Sequence, residues 1–291
     1  MEEIEIKHKK SMPKFLKRIL KIFGLFLLIF VASGVSYFVY DSVLYSSYQN
    51  ISGGAMQGDC NVLGINIRGD LYTYLVRDED GYVTEDYLDA TSSEEIIDSL
   101  ENAKNDTNVK AVMFDVDSYG GAPVAGEEIA IAIKSTEKPT VAFIRQAGVS
   151  AAYWAISSAD WILASKSSDV GSIGVTMSYL EKAKQNEDSG LKYIELSSGK
   201  YKDAGDPDRI LSKEEKEVLL RDVLLTHENF IRAVSENRNI PLEKVASFAD
   251  GSSVLGEQAK SLGLIDAVGG YEEARNYLSE KIGEEVEVCW W

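Results

Sequence analysis

Residues 109–158 read VKAVMFDVDSYGGAPVAGEEIAIAIKSTEKPTVAFIRQAGVSAAYWAISS. The opening run, 109–116, is short, almost wholly apolar and rich in β-branched and aromatic side chains. That predicts a strand buried on both faces, as in parallel sheets. It ends in Asp117 and a Gly120-Gly121 pair, after which 123–134 carries a helical pattern. The sentence then repeats: a strand over 140–144, a stop at Gly148, and a helix over 150–158. Strand, glycine turn and helix twice in succession predict an α/β fold with a largely parallel sheet.

Outward from this stretch the alternation continues. A first strand is expected over 62–67. A helix over 92–103 has Ile96, Ile97 and Leu100 on one face behind Ser92 and Ser93 as caps. Short strands are expected over 161–164 and 173–177, and a long amphipathic helix over 212–238 is closed by Pro241.

Residues 19–40 stand apart. ILKIFGLFLLIFVASGVSYFVY supplies about 20 apolar or neutral positions, roughly what a helix needs to cross a bilayer. It runs on into Tyr37, Phe38 and Tyr40, an interfacial belt rather than a signal-peptide cleavage site. Lys7, Lys9, Lys10, Lys14, Lys17, Arg18 and Lys21 lie at or before its start and Asp41 follows it, which leaves the N-terminus cytoplasmic and the bulk of the chain outside. The expected organisation is therefore a basic tail over 1–18, an anchor over 19–40, a Ser/Gly-rich tether over 41–60 and a catalytic domain over 61–291.

Charge divides the same way. Residues 1–21 carry a net +4, which leaves −21 for the rest of a chain whose total is −17. No basic surface remains there to meet phosphate, so nucleic acid is not expected as a partner. Cys60 and Cys289 are able to pair in an oxidising compartment, but two cysteines in a domain of this size are not a disulfide framework, and their state stays open.

Elimination narrows the chemistry. The only histidines are His8, before the anchor, and His227, inside the long helical stretch. A zinc site with two His ligands outside the membrane is excluded, and a Ser-His-Asp triad would need His227. Gly171-Ser-Ile-Gly-Val175 lacks the Lys-Ser/Thr ending of a phosphate loop. What remains is Ser150, at a strand-to-helix junction beside amides the helix does not use. A helix-capping serine occupies the same position, so the junction alone leaves both readings open. The Gly120-Gly121 pair lets backbone approach a ligand closely and donate N–H groups, and it equally suits a plain tight turn.

The motifs carry a resemblance. Asp117-Ser-Tyr-Gly-Gly121, Gly148-Val-Ser-Ala-Ala-Tyr-Trp154, Val170-Gly-Ser-Ile-Gly-Val175, Ser198-Gly-Lys-Tyr-Lys-Asp-Ala204 and Gly263-Leu-Ile-Asp266, in that order, resemble the signal peptide peptidase A family, the S49 serine peptidases. The resemblance implies a Clp/crotonase-like domain of repeated strand-strand-helix units behind one transmembrane helix. It implies a Ser150–Lys202 dyad, Ser172 in contact with the lysine, and an oxyanion hole from the N–H groups of Gly121 and Ala151. It also implies no cofactor, peptide substrates such as remnant signal peptides, and a homo-oligomer, with the dyad formed either within one chain or between neighbouring subunits. Departures are Tyr119 where the family usually has Pro, Ala151-Ala152 in place of Gly-Gly, and Ser252 where Arg is common.

Chemistry agrees with such a dyad, because a serine hydroxyl needs a base within hydrogen-bond reach and a lysine serves only when neutral. Two rivals stay open. In an esterase-type triad Ser150 would be served by His227, although the elbow has Ala152 where Gly is expected. In a membrane scaffold the fold would be kept without turnover.

Overall fold

The computed structural model describes residues 60–290 together with Phe15. The expected basic tail, anchor and tether lie outside the described residues, apart from Phe15 and Cys60. Among the described residues no helix is long and apolar enough to cross a membrane.

The chain runs β1 (Val62–Tyr72), β2 (Ala90–Ser92), α1 (Ser93–Asn105), β3 (Ala111–Gly121), α2 (Pro123–Ser135), β4 (Thr140–Val149), α3 (Ala151–Ile156), β5 (Trp161–Ala164) and β6 (Asp169–Gly171). There follow α4 (Ala183–Asp188), α5 (Lys213–Arg238), α6 (Leu242–Ala246), β7 (Ser253–Leu255), α7 (Gly256–Leu262), β8 (Ala267–Val268), α8 (Tyr271–Ile282) and β9 (Val288–Trp290). The strands form one sheet whose main path is β2-β1-β3-β4-β5-β8. All named pairings are parallel except β6 with β7. The α/β, mainly parallel expectation therefore holds.

Alternation within the strands builds two cores. Val62, Ala111, Met113, Val141 and Leu163 point to one face and pack on Ala274 and Leu278 of α8. The intervening Leu63, Ile65, Ile67, Phe114, Val116, Ala142 and Ile144 are buried on the other, the side toward which α1 to α3 supply Ile96, Leu100, Ile129, Ile133 and Tyr153. A buried aliphatic or aromatic side chain contributes about 1.5–3 kcal/mol, so the two layers dominate stability.

The sheet bends at one level. Register slips between Arg68 and Asp70 on β1, and between Val116 and Ser118 where β3 meets β4. Below the bend β4 pairs β5, and above it, from Ala147, it pairs β6. At Gly69, φ is +60° and a Cβ would lie 1.8 Å from the Asp89 carbonyl oxygen, so glycine is required at this bulge. The long strands therefore continue past the bend and carry their C-terminal ends to the site.

One expected strand is corrected. Residues 173–177 are not a strand; the strand is β6, ending at Gly171. Gly171 and Ser172 both adopt positive φ (+91° and +48°), which turns the chain out of the sheet before Ile173, although Ile173 stays buried.

Cys60 and Cys289 are joined in a disulfide, with Cα atoms 5.8 Å apart. The bond lies beside the β1–β9 pairing, where Leu63 faces Cys289 in register.

Candidate active site

β4 ends at Val149 and α3 begins at Ala151, which leaves Ser150 as the hinge between them. Its backbone is at φ +53°, ψ −132°, a conformation a non-glycine residue holds only where its surroundings force it. The surroundings are visible. Ser150 N–H donates to the Gly171 carbonyl at 2.8 Å, and the Ser150 carbonyl accepts from Trp154 N–H at 3.0 Å. All six residues of α3 are buried, so the helix cannot roll to relieve the strain.

Ser150 does not cap its helix, since its hydroxyl makes no capping hydrogen bond. This is what separates it from the helix-cap alternative, as a capping serine would spend its oxygen on the N2 or N3 amide. Ala151, as first residue of the helix, has an N–H with no partner one turn back.

The glycine pair divides its labour. A Cβ on Gly120 (φ +105°) would lie 2.7 Å from Ser150 Cβ, 3.0 Å from Ser150 Oγ and 3.0 Å from Ala151 N. Gly120 is therefore the residue in contact with the serine and its amide. Gly121, the expected oxyanion donor, packs on β1, where a Cβ would lie 2.3 Å from the Leu71 carbonyl oxygen. From the helix side Gly126 presses on Ala151, leaving a Cβ only 2.5 Å from its carbonyl oxygen.

Ser118, for which no role was expected, organises this turn. Fully buried, it donates to the Gly69 carbonyl at 2.6 Å and accepts from Gly120 N–H at 3.1 Å. It thereby ties the glycine turn to the β1 bulge. The only signal was its place inside the Asp-Ser-x-Gly-Gly motif. Tyr119 is exposed, and its hydroxyl accepts a 2.8 Å hydrogen bond from Gln146.

Ser172 follows the Gly171 that holds Ser150, and its hydroxyl donates to the Gly251 carbonyl at 2.8 Å. Ser172 is thus near the nucleophile in the fold, anchored to the loop before β7. Lys202 is not brought to Ser150 within the chain by any hydrogen bond. It is an exposed residue of the turn after Gly199, to whose carbonyl its own N–H donates at 3.0 Å. His227 lies on α5 with a buried Nε2 that has no hydrogen-bond partner, and no hydrogen bond joins it to Ser150. A groove of about 320 Å³ between α2 and α5, lined in part by Ile131, Trp154 and Arg232, contains none of these site residues.

Residues 132–285 match peptidase family S49. The chain belongs to that family. Ser150, Ser172 and Lys202 of this S49 chain lie inside the matched region, and Gly121 lies before it. A candidate protease of Methanocaldococcus jannaschii is 36% identical over 186 residues, 63% of this chain and 60% of the relative. A candidate signal peptide peptidase of Enterococcus faecium is 31% identical over 185 residues, 62% and 54% respectively. The S49 chain thus spans little more than half the length of these relatives. Among solved structures a mutant of ClpP1 from Listeria monocytogenes superimposes with a TM-score of 0.47 at 13% identity, covering 72% of this chain and 93% of that one.

Proposed function

We propose that this S49 chain is a membrane-anchored serine endopeptidase that cleaves extended, membrane-released peptides such as remnant signal peptides. The observation that carries the proposal is Ser150, strained, uncapped and pressed by Gly120 at a junction with a free amide beside it. Ser150 Oγ attacks the scissile carbonyl carbon while its proton passes to the neutral Lys202 amine. The oxyanion is held by the N–H groups of Gly121 and Ala151. Collapse breaks the C–N bond, the lysine returns the proton to the leaving amine, and water then hydrolyses the acyl-serine by the same route. Ser172 orients the amine.

In this reading Lys202 serves the serine of a neighbouring copy. Support comes from apolar side chains that the single chain leaves in water, on the segment leading to Lys202 and on α5: Met177, Leu180, Ile194, Leu196, Leu224 and Leu225 are each more than half exposed. Large apolar side chains left in water are what a contact with a second copy would cover. The disulfide supports a domain in an oxidising compartment, as the charge asymmetry about 19–40 implies.

The test mixes two inactive variants. Full-length Ser150→Ala and Lys202→Ala are each expected to lose at least about a thousandfold in kcat, as removing a nucleophile or base does. His227→Ala should remain active. Subunits of the two dead variants, dissociated and reassembled together, should regain activity. A silent mixture would refute a dyad shared between chains, and an active Lys202→Ala would refute the dyad altogether. A folded protein whose Ser150 ignores serine-reactive probes would leave a scaffold.

A further inference from the structure

The turn carrying Lys202 is held by a network that the proposed reaction does not itself require. Tyr193 Oη donates to Asp203 Oδ2 at 2.8 Å and lies 3.4 Å from Asp206 Oδ2. Arg209 Nη2 donates to the Asp203 carbonyl at 2.6 Å, and its guanidinium forks onto Glu215, with Nη1 to Oε2 at 3.1 Å. Glu215 in turn accepts from Ser212 N–H at 2.9 Å, closing the capping box at the start of α5. The Arg209 and Glu215 side chains are only 17% and 7% exposed, in a segment that is otherwise largely in water. A chain of bonds thus runs from the first turn of a 26-residue helix to the backbone of the residue after Lys202. Among the described residues the Lys202 amine makes no hydrogen bond and no ion pair, and the Asp203 carboxylate acts on it only through space.

We propose that Tyr193 and Arg209 are positioning residues for Lys202: Arg209 fixes the turn, and Tyr193 keeps the Asp203 carboxylate engaged so that it does not pair with the adjacent lysine. The inference rests on reading Lys202 as the base. A carboxylate beside a lysine favours the ammonium form, the form that cannot accept a proton. Asp203 is the nearest such group in sequence.

Several charges surround Asp203, and both the Arg209 guanidinium and the Lys202 ammonium act on its carboxylate through space, although Lys202 forms no ion pair with it. On the turn, Lys200 is occupied by Glu214 at 3.4 Å, and Asp206 shares Tyr193. The preceding segment offers Tyr193 and Glu195, the latter 3.8 Å from Arg209, and α5 offers Glu214 and Glu215. The hydrogen bond to Asp203 is the first cause pushing the Tyr193 hydroxyl up to about 12. The same bond, then one from Ser197, and after them the charges of Arg209 and Lys202, hold the Asp203 carboxyl below its usual range. The pair thus stays engaged across neutral pH.

The experiment follows kcat/KM against pH for cleavage of an internally quenched apolar decapeptide by the full-length protein. Tyr193→Phe frees Asp203 to pair with Lys202 and moves the acid limb to higher pH. A shift of one unit costs tenfold below the limb and little on the alkaline plateau. Asp203→Asn moves the limb the other way, and the double variant returns it to or below the native position. Arg209→Lys, which keeps the charge but loses the fork, lowers kcat with KM unchanged. Limbs that stay in place in both Tyr193→Phe and Asp203→Asn, while Lys202→Ala is dead, would overturn the positioning role and leave the base intact. An active Lys202→Ala would instead overturn the base itself. A fall in plateau and melting temperature with an unmoved limb would make Tyr193 merely structural and also defeat the proposal.

Discussion

Gly120→Ala is the sharpest perturbation of the site. The new methyl carbon would lie 2.7 Å from Ser150 Cβ, against an ordinary carbon contact of about 3.5–4.0 Å, so one of the two must move by about 1 Å. Ser150 is held by its 2.8 Å bond to Gly171 and by a buried helix, and the methyl also lies 3.0 Å from Ala151 N, where an oxyanion would sit. A displacement of that size at a reacting atom costs about a hundredfold in rate. Placing alanine at φ +105° adds about 1–3 kcal/mol of backbone strain, or roughly 2–12 °C in melting temperature for a domain of this size. Gly81→Ala separates the two effects, because Gly81 has φ +86° but no atom within 4 Å of its new Cβ. It should lose comparable stability and no reactivity. The assay is the rate of covalent labelling of Ser150 by a fluorophosphonate, read by mass spectrometry beside a thermal melt. Native-rate labelling of Gly120→Ala, or equal slowing in Gly81→Ala, would refute the geometry of the site.

Two further outcomes concern stability. The disulfide closes a separation of 229 residues, so chain entropy sets an upper value of about 5 kcal/mol on its contribution, and Cys289→Ser should lose about 2–5 kcal/mol in urea unfolding. An unchanged midpoint would show that the pair is not formed in solution. The fork from Arg209, followed by the bonds from Ser212, holds the Glu215 carboxyl down to about 2 from an ordinary 4.5. A depressed carboxylate stabilises the fold above its unfolded value and loses that contribution as pH falls through 4.5 toward 2. Melting temperature should therefore fall less steeply over that window in Glu215→Gln than in the native protein.

The helices were legible where an apolar period met a cap. Those expected over 92–103, 123–134 and 212–238 are α1, α2 and α5 to within two residues at each end. Strand starts were legible and strand ends were not. The runs expected over 62–67, 109–116 and 140–144 continue to Tyr72, Gly121 and Val149. Beyond the bend the residues are Arg68-Gly-Asp70, Asp117-Ser-Tyr-Gly and Arg145-Gln, where the apolar run that marks a strand gives way to polar residues and glycine because the sheet there is no longer covered on both faces. Strands β2, β7, β8 and β9 were missed because two or three residues carry no period. At the site, Ser150 was marked by its junction, while Ser118 and Gly120 were hidden inside a motif. Their roles depend on how β1, β3 and β4 align, which lies in the register rather than in any one segment.

The disulfide also has a mechanical consequence. Cys60 opens the described domain, and Cys289 sits in its last strand beside β1. A load applied between Cys60 and Cys289 meets a covalent bond first. Across the 229-residue separation that the bond spans, the covalent link bears the load instead of the hydrogen bonds of β1, which pairs with β2, β3 and β9. Ser118 reaches Gly69 on that same strand, so a load applied between Cys60 and Cys289 leaves the glycine turn in place beside Ser150 while the bond is intact.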